Sequence, residues 1–323
     1  MSRYQRVGSS QLPVGLARQR DVQIHRSSVT DSFPVLDADD WPLASTESSG
    51  GDEKQWIEGE GGSLWLFKPR TEQAGWSQGE DWAEKITSEL AVLLGVPAAR
   101  VELAVRAGRR GSLSLSLRPA GWELQHGALL LGEVLPGYEP RSKARSGHDL
   151  INIERVLADV RPPSALPQMS AFEAFAGYLV LDALVANQDR HEENWAVLRP
   201  LPGSGEVTLA GSYDHGSALA FNVTDAKRTL ELDRDGVPAF CGKAMAHRFD
   251  RDSDGRLTLV GLARSALTRC SSSARSHWLA SVEAATETAL VSAVDRVPEL
   301  SHPVRRFTHA LLTTNRRRLL HEH

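Results

Sequence analysis

The chain has 323 residues, 41% of them hydrophobic and 24% charged, and carries a net charge of −4. Such a length buries a sizeable core in one large domain or two lobes, and the composition is that of an ordinary soluble protein. The charge balance gives no reason to expect nucleic acid as a partner, and the two cysteines, Cys241 and Cys270, sit in no metal-binding or disulfide-framework spacing.

Residues 1 to about 60 are polar and broken by turn formers, with no apolar signal segment at the start. No run approaches the ~18 apolar residues that cross a bilayer, so a cytoplasmic chain with no membrane partner is expected. Ala44 to Gly51 is a run of small residues that reads as a flexible loop. The first strand expected is Leu64-Trp65-Leu66-Phe67-Lys68, ended by Pro69. Residues 71–80 read as loop. Glu80 to Leu94 then has helical periodicity, with Trp82, Ile86, Leu90, Leu93 and Leu94 near one stripe and Gly95 and Pro97 as stops. Val101–Val105 and Ser112–Leu117 read as strands about a turn at Arg106–Gly111.

After Pro119 the pattern becomes helical, at 125–135, 147–159, 168–187, 238–249, 258–270, 274–293 and 303–320. The segment 168–187 is apolar over a broad face, which predicts a helix buried at the centre of a helical lobe. Trp195–Leu198 and Val207–Ala210 bracket a loop rich in Pro and Gly and read as a β-hairpin. The basic pairs and triplets Arg109-Arg110 and Arg316-Arg317-Arg318 are too short for a nucleic-acid patch. The expected fold is α+β in two lobes: residues 1–120 mostly β with one prominent helix, and 121–323 helical.

The chemistry-bearing stretch is Asp189-Arg190-His191-Glu192-Glu193-Asn194, followed by Tyr213-Asp214-His215-Gly216. Phosphoryl transfer from ATP needs one group to accept the hydroxyl proton and two to hold Mg²⁺. An Asp, an Asn five positions on, and a later Asp-x-Gly have the spacing of protein-kinase catalytic loops. A hairpin returns its ends to one place, so Asn194 and Asp214 are expected as neighbours that hold the metal, with Asp189 facing the acceptor hydroxyl. Lys68, at the end of an apolar strand, is the candidate for the ATP phosphates. Glu84 and Glu89 both lie on the next helix, five residues apart and on different faces, and Glu84 is favoured as the partner of Lys68. The Thr46–Gly51 run, with Ser48, Ser49, Gly50 and Gly51, is a candidate phosphate-covering loop, although it lacks a G-x-G-x-x-G pattern. His191 and His215 flank the acids with no Ser or Cys nucleophile to match, which points to orienting or structural hydrogen bonds. Asp182 reads either as a brace for the loop backbone or as a polar face residue.

On Leu66-Phe67-Lys68-Pro69, Glu84 to Gly95, Asp182 to Asn194 and Tyr213-Asp214, the chain resembles the HipA-like serine/threonine kinases over roughly residues 50–315. That family has a fold related to phosphoinositide kinases. The resemblance implies ATP and Mg²⁺ as cofactors, Lys68 on the phosphates, Glu84 positioning Lys68, Asp189 as catalytic base, and Asn194 and Asp214 on the metal. It also implies a protein Ser or Thr acceptor, an antitoxin-like regulator, and self-phosphorylation at Ser48 or Ser49. About 60 residues precede the Lys68 strand, too few for a full extra N-terminal subdomain. Two rival readings are a small-molecule or lipid kinase, for which no basic membrane-facing cluster stands out, and a nucleotide-binding regulatory module without turnover.

Overall fold

Three short strands precede the Lys68 strand, in a region where the sequence predicts none: β1 (Val35–Asp37), β2 (Leu43–Glu47) and β3 (Lys54–Glu58). The computed structural model describes residues 32–47, 54–141, 146–201, 205–250, 255 and 257–322. Ser48, Ser49, Gly50 and Gly51, the candidate phosphate loop, lie outside the described residues. Ala44 to Glu47, expected as loop, form β2, because antiparallel pairing with β3 supplies the ladder that such small polar residues do not signal alone.

Next come β4 (Leu64–Pro69), a two-residue ladder β5 (Glu72–Gln73) and β6 (Trp76–Ser77), α1 (Glu80–Leu94), β7 (Val101–Arg106) and β8 (Arg109–Leu115). Gly95 ends α1 in the left-handed region at φ +70°, its N–H bonded to the carbonyls of Ala91 and Val92. The six longer strands form one sheet in the order β1-β7-β8-β4-β3-β2, antiparallel except for the β1–β7 pair.

Side chains alternate across this sheet, and the alternation decides where Lys68 goes. Trp65 and Phe67 turn to one face and pack with Ala38, Ile57, Ala104 and Leu113 in a small core. Lys68 therefore takes the other face. Register places it in a cross-strand row with Ser112, Leu103 and Val35, the row over which α1 packs. Gly111 lies opposite Pro69, and a β-carbon there would stand 2.3 Å from the Lys68 carbonyl oxygen. Only glycine lets β8 come this close beneath the lysine.

The C-terminal region begins with β9 (Trp122–His126), α2 (Gly127–Val134), α3 (Leu150–Val156) and α4 (Ala171–Val185). Residues 125–135, expected as one helix, divide because Trp122–His126 pairs antiparallel with β10 (Ala196–Pro200). On its other edge β10 pairs with β11 (Thr208–Leu209), which is the hairpin the sequence predicts. α4 opens with a capping box of Ser170 and Glu173, and every one of its residues except Glu173 is buried. Each large side chain so buried contributes roughly 1.5–3 kcal/mol. At Gly177 a β-carbon would lie 2.3 Å from the Trp278 ring, so the glycine admits a neighbouring helix onto α4.

The rest is helical: α5 (Asp225–Asp233), α6 (Val237–Gly242), α7 (Leu259–Arg269), α8 (Ser272–Ala284), α9 (Glu287–Asp295) and α10 (His302–His321). α5 was not expected; its polar sequence hides it, and Thr224 caps it by accepting from the Lys227 N–H. The helix expected over 238–249 stops at Gly242. The one expected over 274–293 breaks at Ala285, where Thr286 caps α9. The architecture is the expected two-lobed α+β fold, sheet-rich at the N-terminal side and helical at the C-terminal side, and one large core joins α1 to the helices. Among the described residues no helix is long and apolar enough to cross a membrane.

Candidate active site

Lys68 Nζ donates to Glu84 Oε1 at 2.9 Å and to Asp214 Oδ1 at 2.6 Å. The sheet, α1 and the segment after β11 thus meet at one ammonium group. Burial alone would pull this lysine down, yet the charges of Asp214 and Glu84 outweigh it and hold the ammonium above its ordinary value. Burial would likewise raise Asp214, but Lys68, and then Lys54, hold its carboxyl well below the usual range. The β3–β4 register, continued by one residue past Gln55 and Phe67, sets Lys54 beside Lys68. Glu89, the rival helix carboxylate, pairs with Lys85 at 2.7 Å on another face of α1.

Glu84 is buried and uses both oxygens. The second accepts the backbone N–H of His215 at 2.9 Å. Asp214 itself has φ +61°, in the left-handed region that Asp visits more readily than most residues. This turn aims its carboxylate at Lys68 while the next N–H reaches Glu84.

The two chemistry-bearing loops are locked together by Arg190, which the sequence reading passed over. Its Nε and Nη2 grip Asp182 at 2.7 and 2.8 Å, and Nη2 also donates to Ser212 Oγ at 2.8 Å. Its Nη1 donates to the carbonyls of Asn194 at 2.5 Å and Tyr213 at 3.3 Å. All five guanidinium N–H groups are engaged, in a site from which water is almost excluded. Asp182 is therefore the loop brace, and it also accepts from Asn187 Nδ2 at 2.8 Å. One signal was available: an arginine inside the motif itself, next to Asp189, must find partners if the loop is buried.

Ser212 Oγ accepts from Arg190 and shares a hydrogen bond with His215 Nε2, 2.7 Å away. Burial, with Arg190 nearby, pushes His215 down to about 3, so it is a neutral structural imidazole. His148 acts similarly one layer out. Its Nε2 accepts from the Trp195 indole at 3.2 Å and its Nδ1 donates to the Arg248 carbonyl at 2.7 Å.

Arg248 has no sequence signal at all, being 59 positions from Asp189. Its Nε donates to Asp189 Oδ1 at 2.6 Å, and the other carboxylate oxygen accepts a long bond, 3.4 Å, from Ser217 Oγ. Burial lowers His191 while Asp189 and Asp214 both push it back up, so the two carboxylates lie within electrostatic reach of one imidazole. Asn194 is buried and donates from Nδ2 to the Asp189 carbonyl at 2.8 Å.

Asp214 Oδ2 and the Asn194 amide oxygen accept no hydrogen bond among the described residues. Two hard oxygen donors suit Mg²⁺, which takes few protein ligands and keeps water and phosphate in the remaining positions. Lys68 and Lys54 place positive charge beside Asp214, an arrangement that could receive phosphate oxygens next to a cation. The described residues contain no group of three or more His, Cys, Asp or Glu that would hold a metal without a substrate.

Among solved structures, the chain is similar to the Helicobacter pylori proinflammatory kinase CtkA, with a TM-score of 0.71, 18% identity, and 89% of this chain and 96% of that one covered. The fold is that of a kinase. HipA of Shewanella oneidensis MR-1, solved with HipB and operator DNA, matches with a TM-score of 0.47 at 14% identity, covering 92% of this chain and 67% of that chain. A Golgi casein kinase solved with Mn and ADP bound matches with 0.37 at 14% identity, covering 87% and 73%. No protein-family model matches the chain. No curated protein is significantly similar to it in sequence.

Proposed function

We propose that this kinase-fold protein transfers the γ-phosphoryl group of ATP to a Ser or Thr hydroxyl of a protein. The observation that carries this reading is Lys68 held between Glu84 and Asp214 at 2.9 and 2.6 Å, with Asp189 on the adjoining loop. In this reading Lys68 takes phosphate oxygens and Glu84 fixes its position. Asn194 and Asp214 hold Mg²⁺, which neutralises phosphate charge when bound. Asp189 accepts the proton of the acceptor hydroxyl, its carboxylate oriented by Arg248. Catalysis then rests on positioning and charge, with no covalent intermediate on the protein.

In this reading the cleft lies between an N-lobe that ends near residue 120 and a C-lobe that follows it. Ser48 or Ser49 is the proposed self-phosphorylation site and, with Gly50 and Gly51, the proposed phosphate loop. The sequence resemblance extends the proposal to a regulator of antitoxin type.

The test is phosphate transfer from labelled ATP with Mg²⁺, comparing wild type with Asp189→Asn and Asp214→Asn. Transfer by wild type and loss in both variants is the expected result. Transfer that both variants retain overturns the assignment, and nucleotide binding without any transfer favours a regulatory module. Phosphopeptide mapping after incubation with ATP, finding no phosphate on residues 45–49, rejects the self-phosphorylation site.

A further inference from the structure

A cavity of about 620 Å³ opens beside Asp189, between the loop after α4 and the helices α5 and α6. Asp189 and Ser217 both line it. Its apolar surface comes from Phe221 and Phe240, and its rim carries Lys227 and Lys243. The other charged groups of the wall are committed. Arg248 bonds Asp189, and Arg234 bonds Glu231. Lys227 and Lys243 form no ion pair among the described residues, although both sense Glu231 electrostatically. The cavity thus combines apolar side chains with two exposed cations, free of ion pairs among the described residues, and is lined also by the carboxylate proposed to take the acceptor proton.

We infer that this groove binds the acceptor as an extended peptide with an acidic residue near its Ser or Thr and an apolar side chain for Phe221 and Phe240. The inference rests on the kinase reading and specifies its substrate class. The volume is enough to enclose a few side chains of a peptide, being within the 300–1,000 Å³ that encloses a drug-sized ligand, and the charged lining gives those side chains polar partners. Two uncommitted cations in a chain of net charge −4 are too few for the phosphate contacts that a nucleic acid demands. The positive lysines would also repel a basic peptide, giving discrimination by both attraction and repulsion. The wall that carries Arg248 is itself anchored, through the His148 bond to the Arg248 carbonyl and the Asp250 N–H bond to His148 at 2.9 Å.

The experiment measures binding of fluorescent serine peptides to the full chain by anisotropy. One peptide has Glu and Leu around the Ser, the second has Lys in place of Glu, and a single-stranded DNA oligonucleotide is the polyanion control. The expected result is at least ~10-fold tighter binding of the acidic peptide, about 1.4 kcal/mol, and loss of that preference in the double variant Lys227→Glu with Lys243→Glu. Both lysines are exposed, so thermal unfolding of the variant should match wild type and exclude misfolding as the cause. Equal binding of the two peptides, a preference that survives charge reversal, or tighter binding of the DNA overturns the inference. ATP binding is read separately by calorimetry on wild type against Lys68→Ala. No ATP binding by wild type overturns the kinase reading and the acceptor role with it, whereas intact ATP binding with an indifferent groove overturns the groove alone.

Discussion

Lys68 and Asp214 are 146 residues apart in the chain and meet at 2.6 Å. Each is the main reason the other stays charged, and Glu84 completes the arrangement from a third element. A cation held between two carboxylates, one of them buried, is a poor device for stability alone, because desolvation offsets most of the Coulomb gain. It is a good device for receiving a polyanion, since the ammonium of Lys68 would serve phosphate oxygens and the carboxylate of Asp214 would hold a divalent cation beside them.

Replacing Lys68 with Ala should cut phosphate transfer by at least ~100-fold, the range seen when one preorganised electrostatic group is removed from a transition-state site. Steady-state kinetics with the purified variant checks this. An unchanged kcat/KM would remove Lys68 from the reaction.

Glu84 and Glu89 offer an internal contrast. Glu84→Gln keeps an acceptor for the His215 N–H but loses the charge on Lys68, so turnover should fall by ~10-fold or more, about 1.4 kcal/mol. Glu89→Gln removes only an i,i+4 pair with Lys85, worth about 0.3–0.5 kcal/mol, and Lys85 retains Glu102 at 2.9 Å. Turnover of the two variants measured side by side, with Glu89→Gln the more damaging, would contradict this arrangement.

Arg190→Lys should destabilise the fold by roughly 3–5 kcal/mol, because an ammonium cannot replace five planar donors and Asp182 is left partly unpaired in a buried site. Denaturant unfolding reads this directly. A loss under about 1 kcal/mol would mean that the network is not what holds the two loops together.

The proximity of Lys68 and Glu84 was legible because both sit in strongly patterned elements. β4 is apolar up to the lysine, and α1 has a clear stripe with a glycine stop. The motif from Asp189 to Asn194 and the one at Asp214 were legible by spacing, and the hairpin between them by its turn residues. What escaped the sequence depends on partners from distant segments. β1, β2 and β9 are too short or too polar to announce themselves, and become strands only through pairing. The pairing of Arg248 with Asp189 follows from where the chain beyond α6 returns, which no local pattern encodes. α5 presents mostly charged residues, and its buried Arg228 and Glu231 read as surface until the neighbouring elements are in place.

The protein should lose stability as pH falls from about 6.5 to 3, and His215 should account for a measurable part of that loss. A histidine whose folded value is lowered to about 3 from an ordinary 6.5 stays neutral in the native state, while the unfolded chain takes up a proton below 6.5. Unfolding therefore binds protons in this window and becomes easier with each step downward, up to roughly 5 kcal/mol for the full difference. His148 and His191, lowered chiefly by burial, act in the same direction. The Lys68–Asp214 pair does not mask the effect. The raised lysine's contribution is complete below its ordinary value of ~10.4 and is lost only as pH rises beyond it. The depressed carboxyl of Asp214 contributes fully above ~3.9 and loses that contribution only at lower pH. Thermal unfolding of wild type and His215→Gln between pH 7 and 4 separates the contributions, since glutamine keeps an amide for Ser212 but cannot titrate. The variant's Tm should fall less steeply with pH than that of wild type, and parallel slopes would mean that His215 takes up its proton alike in the folded and unfolded chain.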